Sequence, residues 1–545
     1  MFLLLSSSEQ TKAQPVQPKI FVRESTGLVK NASFFDTIAL NLSNMSIGAL
    51  LGVFGLYGYL IPSIVGLNFT YTCIFGFVVA VPQIVIYTMM TRRFPRTGGD
   101  YIWISRTFGG FWGSSLSFMG YTLETTAYLA LIVLSAVFAI GAVGFIQSNF
   151  TNSTFLGLSL PGNSGGTPLP QFEVGAAIFA ILIAVNVFKP KIGFKLVSAL
   201  TIIGIATLLI AIFTLLSAGH SAVVNYVNSA GWSVSPYVPA PYHDIAAVNT
   251  SLNYNAIVST FQSSSNWLTP ALFLLPLIFA FAYPWVNAAP AVASEIKGRT
   301  AIRWNIPISA VIAFVLLTSS FATLYYVGGI SFINQAFASW SISVYYTFNF
   351  WTLAMGVAGN TYLAWLIGLG WIVWNVGILA YGIIVISRYL LAQSFDRFLP
   401  AKISYVSPRF GSPMVAQVIS LVVTVTLVGL AAFYYGTVSA LFGAIIAAMI
   451  YFIFIGLTAT VHALKKETGS ARAILSVAGL LNIVVFGYVV WEFVANPAVW
   501  SLTTLTSGFV IFSFLFGAAI YLSSKTYYKR KGIDISLAYK ELPPE

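Results

Sequence analysis

Apolar runs of about 18 or more residues recur along nearly the whole chain, and in lipid such runs leave few folds open. The bilayer core holds no water to pair free backbone N–H and C=O groups, so a crossing segment must be a helix or part of a closed barrel. A barrel would show alternating segments of about 10 residues; the apolar stretches here are continuous instead. Hydrophobic residues make up 58% of the chain and charged ones 7%, with a mean hydropathy of +0.86, against roughly 25% charged in a soluble domain. The sequence predicts an all-α polytopic membrane protein.

Twelve crossings are expected, at residues 36–62, 68–91, 108–145, 172–188, 196–217, 270–295, 306–328, 360–392, 413–435, 438–463, 473–494 and 502–523. With that count and the N-terminus inside, all 26 Lys and Arg residues fall on one side of the membrane. The positive-inside rule makes that side cytoplasmic, so both termini are expected in the cytoplasm and the protein in the plasma membrane. The net charge of +12 reflects this asymmetry and calls for no nucleic-acid partner. The outer segments carry no Lys or Arg and contain three N-x-[ST] sequons, at Asn149, Asn152 and Asn249. A lone cysteine, Cys73, excludes an intramolecular disulfide or a cysteine metal cluster, and three scattered histidines have no ligand spacing, so no metal or cofactor is expected.

One span breaks its own pattern. In "LPLIFAFAYPWVNAAPAV", residues 275–292, apolar flanks enclose Tyr283, Pro284, Trp285, Asn287 and Pro290. Pro284 removes a backbone donor and clashes with the preceding turn, and the freed groups survive only where protein or a water-filled cavity satisfies them. The first span carries a similar interruption: "SNMSIG", residues 43–48, sits near mid-membrane counting about 1.5 Å per residue from Asp36. These two spans open consecutive blocks of five, and because five is odd the second block is inverted. Broken helices at matching positions of inverted repeats point to a secondary transporter's binding site. The half-helix ends offer free N–H groups on one side and free C=O groups on the other, with opposed partial charges that suit a zwitterion.

Four stretches together resemble the amino acid–polyamine–organocation superfamily of transporters. They are "NMSIGALLG" in the first span, "FPRTGGDYIWISRTFGGFWG" between spans two and three, "FAFAYPWVNAAPAVASEIKGRTAIRWNIPISA" at span six, and "ISRYLLAQSFDRFLPAKISYVSPRFGSPMVA" at the end of span eight. The resemblance covers roughly residues 30–465 and implies a leucine-transporter-type core with discontinuous helices one and six. The chain would then divide into a tail at 1–30, a first five-helix repeat at 31–217, an extracellular loop at 218–269, an inverted repeat at 270–465, two accessory helices at 466–524 and a tail at 525–545. The sequence departs from the family where Ala282, Tyr283 and Pro284 follow Phe281 in place of a frequent glycine. It also lacks a lysine within the fifth span and the paired Ser/Thr hydroxyls of sodium-coupled relatives on the eighth.

Ser46, Ile47 and Gly48 are the expected donors of backbone N–H groups to a substrate carboxylate. Gly48 and Gly52 also fit the small-residue spacing of close helix packing. Phe279, Ala280, Phe281 and Ala282 would offer carbonyls to an amine, with Tyr283 and Trp285 shaping or gating the pocket. Glu124 is the one acid deep in an otherwise uncharged span; a charge there is costly, which marks it as a candidate proton carrier, with a structural carboxyl as the alternative. Asp100, Arg106, Glu295, Arg388 and Asp396 lie on the cytoplasmic rim, where Glu295 and Arg388 are gating candidates and plain topogenic anchoring is the other reading. The function expected is secondary active transport of an amino acid by alternating access, coupled to H+ or Na+ with the proton preferred. A polyamine or other organic cation is the alternative cargo, and an ion channel the alternative mechanism. No nucleotide loop, histidine cluster or paired-carboxylate motif suggests an enzyme.

Overall fold

The computed structural model describes residues 28–57, 65–149, 154–159, 168–188, 190–230, 253–259, 261–339, 342 and 347–542. Most of the N-terminal tail, the centre of the loop at 218–269, and the sequons at Asn152 and Asn249 lie outside the described residues. Among the described residues, eleven helices are long and apolar enough to cross a membrane: Phe34–Val53, Phe69–Arg93, Asp100–Gln147, Pro168–Phe188, Pro190–Ser229, Arg299–Gly328, Thr361–Phe395, Met414–Phe433, Thr437–Lys466, Gly469–Ala495 and Thr504–Arg530. The sixth crossing falls between the fifth and sixth of these and is missing from that set because it is in pieces: Leu268–Phe273, Leu275–Phe281 and Ala288–Ala291. The twelve-span expectation and the broken sixth span therefore agree.

Polar caps start several of these helices where the sequence leaves an apolar run. Ser33 and Asp36 form a reciprocal capping box on the first span. The side chains of Asn68, Asn360 and Thr503 accept from the backbone N–H groups of Tyr71, Leu363 and Thr506. Two long helices change direction at glycines in the left-handed region, Gly109 (φ 77°) and Gly219 (φ 72°). The third span thus begins eight residues earlier than expected, as a short helix from Asp100 that bends at Gly109. Within it, a π-helical turn at Phe118–Leu123 immediately precedes Glu124, a local irregularity of the kind found at functional sites.

The order of packing follows the inverted-repeat expectation. Span two packs on span seven, three on eight and four on nine, each against its counterpart in the other block of five. Span one lies against seven, and the first half of span six lies against two, which is the reciprocal pair. Spans eleven and twelve attach at the side: eleven against ten and two, twelve against three and ten. Short helices Tyr254–Ser259, Ile330–Ala338 and Phe350–Gly356, with a hairpin pairing Thr154–Phe155 to Leu158–Ser159, cover the end of the bundle away from the basic residues.

Lys and Arg residues converge at the other end. The ion pairs Lys195–Asp36, Arg93–Glu467, Arg106–Asp396 and Arg388–Glu295 all join segments that the crossing count puts on one side. We refer to it as the basic end.

Candidate functional site

The first span stops at Asn44, turns through Met45 and Ser46, and restarts at Ile47. Ser46 has φ 48°, a left-handed conformation that costs a non-glycine residue energy. Its hydroxyl holds the turn by donating to the carbonyls of Asn44 (2.9 Å) and Ser43 (3.3 Å). Leu50 N–H to Ser46 O, 2.9 Å, is the first bond of the restarted helix, so the N–H groups of Ile47, Gly48 and Ala49 precede any helical acceptor. Gly48 is packed from the side: a Cβ there would lie 2.1 Å from the Trp374 indole, and Gly52 meets Trp371 in the same way. The Trp351 indole donates to Gly48 O at 2.8 Å. The glycine spacing therefore accommodates span eight.

Span six ends its first half at Phe281, and Ala282 leaves the helix at φ −117°, ψ −152°. The residue four positions after Ala280 is Pro284, which has no N–H to give, so the Ala280 carbonyl loses its helical donor. Trp285 N–H turns back to Ala282 O at 3.3 Å, which removes the donor that Phe281 O would have had. The Phe279 carbonyl is taken up by the Trp285 indole at 2.8 Å. Of the carbonyls expected to face an amine, those of Ala280 and Phe281 thus carry the unspent capacity. The Tyr283 ring turns towards span two, edge-on to Phe77 with centroids 5.5 Å apart.

A chain of side chains joins the two breaks. Asn44 donates to Asn287 at 2.7 Å, and Tyr381 of span eight donates to Asn44. One helical turn away, Asn41 donates to Asn305 (3.0 Å) and accepts from Ala289 N–H (3.0 Å), capping the second half of span six. Tyr128 of span three bridges as well: its ring stacks on Trp285 (centroids 5.8 Å apart) and its hydroxyl faces Ser46. Sequence reasoning missed Asn41, Asn44, Asn305, Tyr128 and Tyr381 as site residues. The available signal was an asparagine pair one turn apart in an apolar span.

Glu124 is fully buried, one turn before Tyr128 on the same helix. Its Oε2 accepts from Thr125 at 2.9 Å, and Oε1 has no hydrogen-bond partner among the described residues. A small apolar cleft opens beside Ala280 and Phe281, walled by Leu277, Phe442, Phe493 and Trp500. Trp500 lies in the loop between spans eleven and twelve, so the cleft opens away from the basic end.

The basic end is closed. Arg388 and Glu295 form a two-pronged bond at 2.8 and 2.9 Å, with side chains only 1% and 2% exposed. The Glu295 carbonyl accepts from Asn31 and Ala32, and Lys297 N–H returns to Ala32 O, so the chain leading into span one is strapped onto span six. Arg106 grips Asp396 with both terminal nitrogens, and Tyr101 donates to the same carboxylate at 2.8 Å. Asp100, placed on the rim by the sequence, is bound there by the side chains of tyrosines.

The sequence pattern of the amino acid permease family matches residues 33–524. Uncharacterized protein 399 of Sulfolobus islandicus rod-shaped virus 1 is 23% identical over 388 residues, covering 71% of this chain and 70% of that protein. Polyamine transporter RMV1 of Arabidopsis thaliana is 23% identical over 235 residues, covering 41% of this chain and 42% of its own length.

Proposed function

We propose that this chain, which belongs to the amino acid permease family, carries an amino acid across the membrane between the unwound segments of spans one and six. The observation that carries the reading is the meeting of two half-helix ends of opposite polarity. The N–H groups of Ile47, Gly48 and Ala49 on one side and the carbonyls of Ala280 and Phe281 on the other are held in register by Asn44 and Asn287. Ser46, Ile47 and Gly48 would receive the carboxylate; Ala280, Phe281 and Ala282 would face the amine. Phe279 acts through Trp285, which with Tyr283 shapes the walls. Family membership points to a transporter rather than an enzyme.

In this reading the repeats at 31–217 and 270–465 rock about the paired breaks, with 466–524 as accessory helices and the segments 1–30 and 525–545 at the basic, cytoplasmic side. The Glu295–Arg388 pair is the inner gate and Glu124 is the proton carrier, its unpartnered Oε1 leaving room for a proton to come and go. The membrane is the plasma membrane, with H+ as the coupling ion ahead of Na+. Polyamine transport is the second reading, favoured by the likeness to a relative named as a polyamine transporter.

The test is counterflow in proteoliposomes. Purified protein preloaded with an unlabelled amino acid should accumulate the labelled one transiently, and a proton gradient should drive uptake uphill. Saturable exchange of putrescine or spermidine with no amino acid exchange would transfer the assignment to the second reading. Uphill uptake by Glu124→Gln with an unchanged pH profile would remove Glu124 from the coupling.

A further inference from the structure

Among the described residues four buried carboxylates sit at the basic end, and three of them touch a cation: Asp36 meets Lys195, Glu295 meets Arg388 and Asp396 meets Arg106. Asp100 is the exception. It is fully buried, and the side chains that bond it are phenols: Tyr389 and Tyr451 (3.0 Å) donate to Oδ1, and Tyr87 donates to Oδ2, while the backbone N–H of Tyr101 also faces the carboxylate. Those tyrosines come from spans eight, ten and two. Tyr121 of span three stacks on Tyr389, centroids 3.7 Å apart, and faces the same carboxylate. The nearest guanidinium along span eight, Arg388, is spent on Glu295 and Ser387.

A carboxylate buried without a cation is costly. Three hydroxyl donors offset part of that cost, because hydrogen bonds to an ionised acceptor are shorter and stronger than neutral ones. The same cage also fits the neutral acid. A phenol both donates and accepts, so when Asp100 takes up a proton one tyrosine turns its own hydrogen away and accepts the new one. An arginine in that place would admit the charged form alone. The cage is therefore built for a group that changes its protonation state.

Its position ties that change to the gate. Gly98 N–H donates to Ala291 O at 2.9 Å, and a Cβ on Gly99 would lie 3.0 Å from the backbone of Pro290. Asp100 thus follows directly on the segment pressed against the second half of span six, while Tyr389 follows directly on the gate residue Arg388. Because the donors come from spans two, eight and ten and the carboxylate from span three, an opening that moves any one of these spans breaks the cage and lets in water.

We propose that Asp100, ringed by Tyr87, Tyr389 and Tyr451, is a proton-binding site of the basic-end gate, separate from Glu124. The ionised carboxylate fastens the closed gate through three charge-assisted bonds drawn from three spans. A proton taken from water at the basic end converts it to the acid, weakens those bonds and favours opening. The gating role rests on the transport reading above; proton binding itself does not.

Difference infrared spectroscopy on purified protein titrated with acid tests the site, because a protonated carboxyl gives its own carbonyl band. The band should grow with acid in the parent and in Glu124→Gln, and its Asp100 component should be lost in Asp100→Asn. Tyr451→Phe, which removes one donor and no carboxyl, should displace the midpoint. Labelling of a cysteine placed behind the gate, with each rate divided by that of an exposed reference cysteine at the same pH because the thiolate is the reacting form, should speed up in acid in the parent and lose that pH dependence in Asp100→Asn. An undiminished band or an unchanged labelling profile in Asp100→Asn would overturn the proposal. If that variant does not fold, an unmoved midpoint in Tyr451→Phe overturns it equally. Failure of amino acid counterflow would leave the infrared titration standing, so the two proposals fail separately.

Discussion

Cutting one side of the Glu295–Arg388 pair should release the basic end. Both side chains are almost wholly buried and joined by two bonds of 2.8 and 2.9 Å. Removing one partner of such a pair costs about 3–5 kcal/mol, because the survivor is left charged and uncompensated. If opening hydrates both groups, that cost falls on the closed state alone. At about 1.4 kcal/mol per factor of ten, the open-to-closed ratio then rises by roughly 10² to 10³ or more, until the open state predominates. The assay uses Ala289→Cys, fully buried behind the pair, in a Cys73→Ala background. The rate of labelling by a membrane-impermeant thiol reagent is read from the basic side. Glu295→Gln and Arg388→Met should each raise that rate at least a hundredfold or to its ceiling. The double variant should return to within about tenfold of the parent, since replacing both charges of a buried pair is often near neutral. Single variants labelling within threefold of the parent, or a double variant as fast as the singles, would refute the pair as a gate.

Three other outcomes follow from the geometry. Gly48→Ala places a Cβ 2.1 Å from the Trp374 indole and should lower stability by about 1–3 kcal/mol, read as a drop in melting temperature; Trp374→Phe in the same chain should recover part of it. Pro284→Ala gives Ala280 O a backbone donor and lets span six run on as helix, so binding of the transported amino acid should be lost while melting temperature holds or rises. At Glu467, outside the crossing helices, the Arg93 guanidinium holds the carboxyl below the usual carboxylate range. A lowered folded-state value means the pair stabilises above the ordinary value of about 4.3 and fades as pH falls through the lowered one. The melting-temperature difference between parent and Glu467→Gln should therefore close as pH drops from 6 towards 3 (roughly the carboxylate range).

What could be read from the sequence was whatever one stretch of chain decides by itself. Pro284 breaks a helix wherever it sits, and a polar knot at residues 43–48 interrupts a run of apolar turns. The side of every basic residue follows from counting crossings. What stayed hidden depends on pairs far apart in the chain. Asn44 and Asn287 are each visible as polar intrusions, but their bond spans 243 positions and needs the inverted packing of the repeats. Asp100 read as a rim charge because its neighbours in sequence include Arg96 and Arg106, whereas its partners in space are tyrosines from three other spans. The early start of span three was masked by Gly109, which reads as a helix boundary yet carries the helix around a corner. At Gly48 the sequence offered close packing beside a ligand role, and the packing partner, the Trp374 indole, lies far along the chain.

The two breaks are made by different chemistry, and that difference bears on what they are for. Span six is interrupted by a missing donor at Pro284, a defect that no conformational change can repair. Span one is interrupted by Ser46 held at φ 48° through its own hydroxyl, a strained turn that its neighbours must maintain. Those neighbours come from the opposite repeat: Trp351 on Gly48 O, Asn287 on Asn44, Ala289 N–H on Asn41. Each of these bonds thus crosses from one block of five to the other. In the proposed rocking of one repeat against the other these bonds would be exchanged for water or for cargo, and a ligand presenting both a carboxylate and an amine would replace them on both sides at once. In that proposal a fixed discontinuity facing a maintained one would give span six a permanent docking edge and would make span one the half whose turn responds to occupancy.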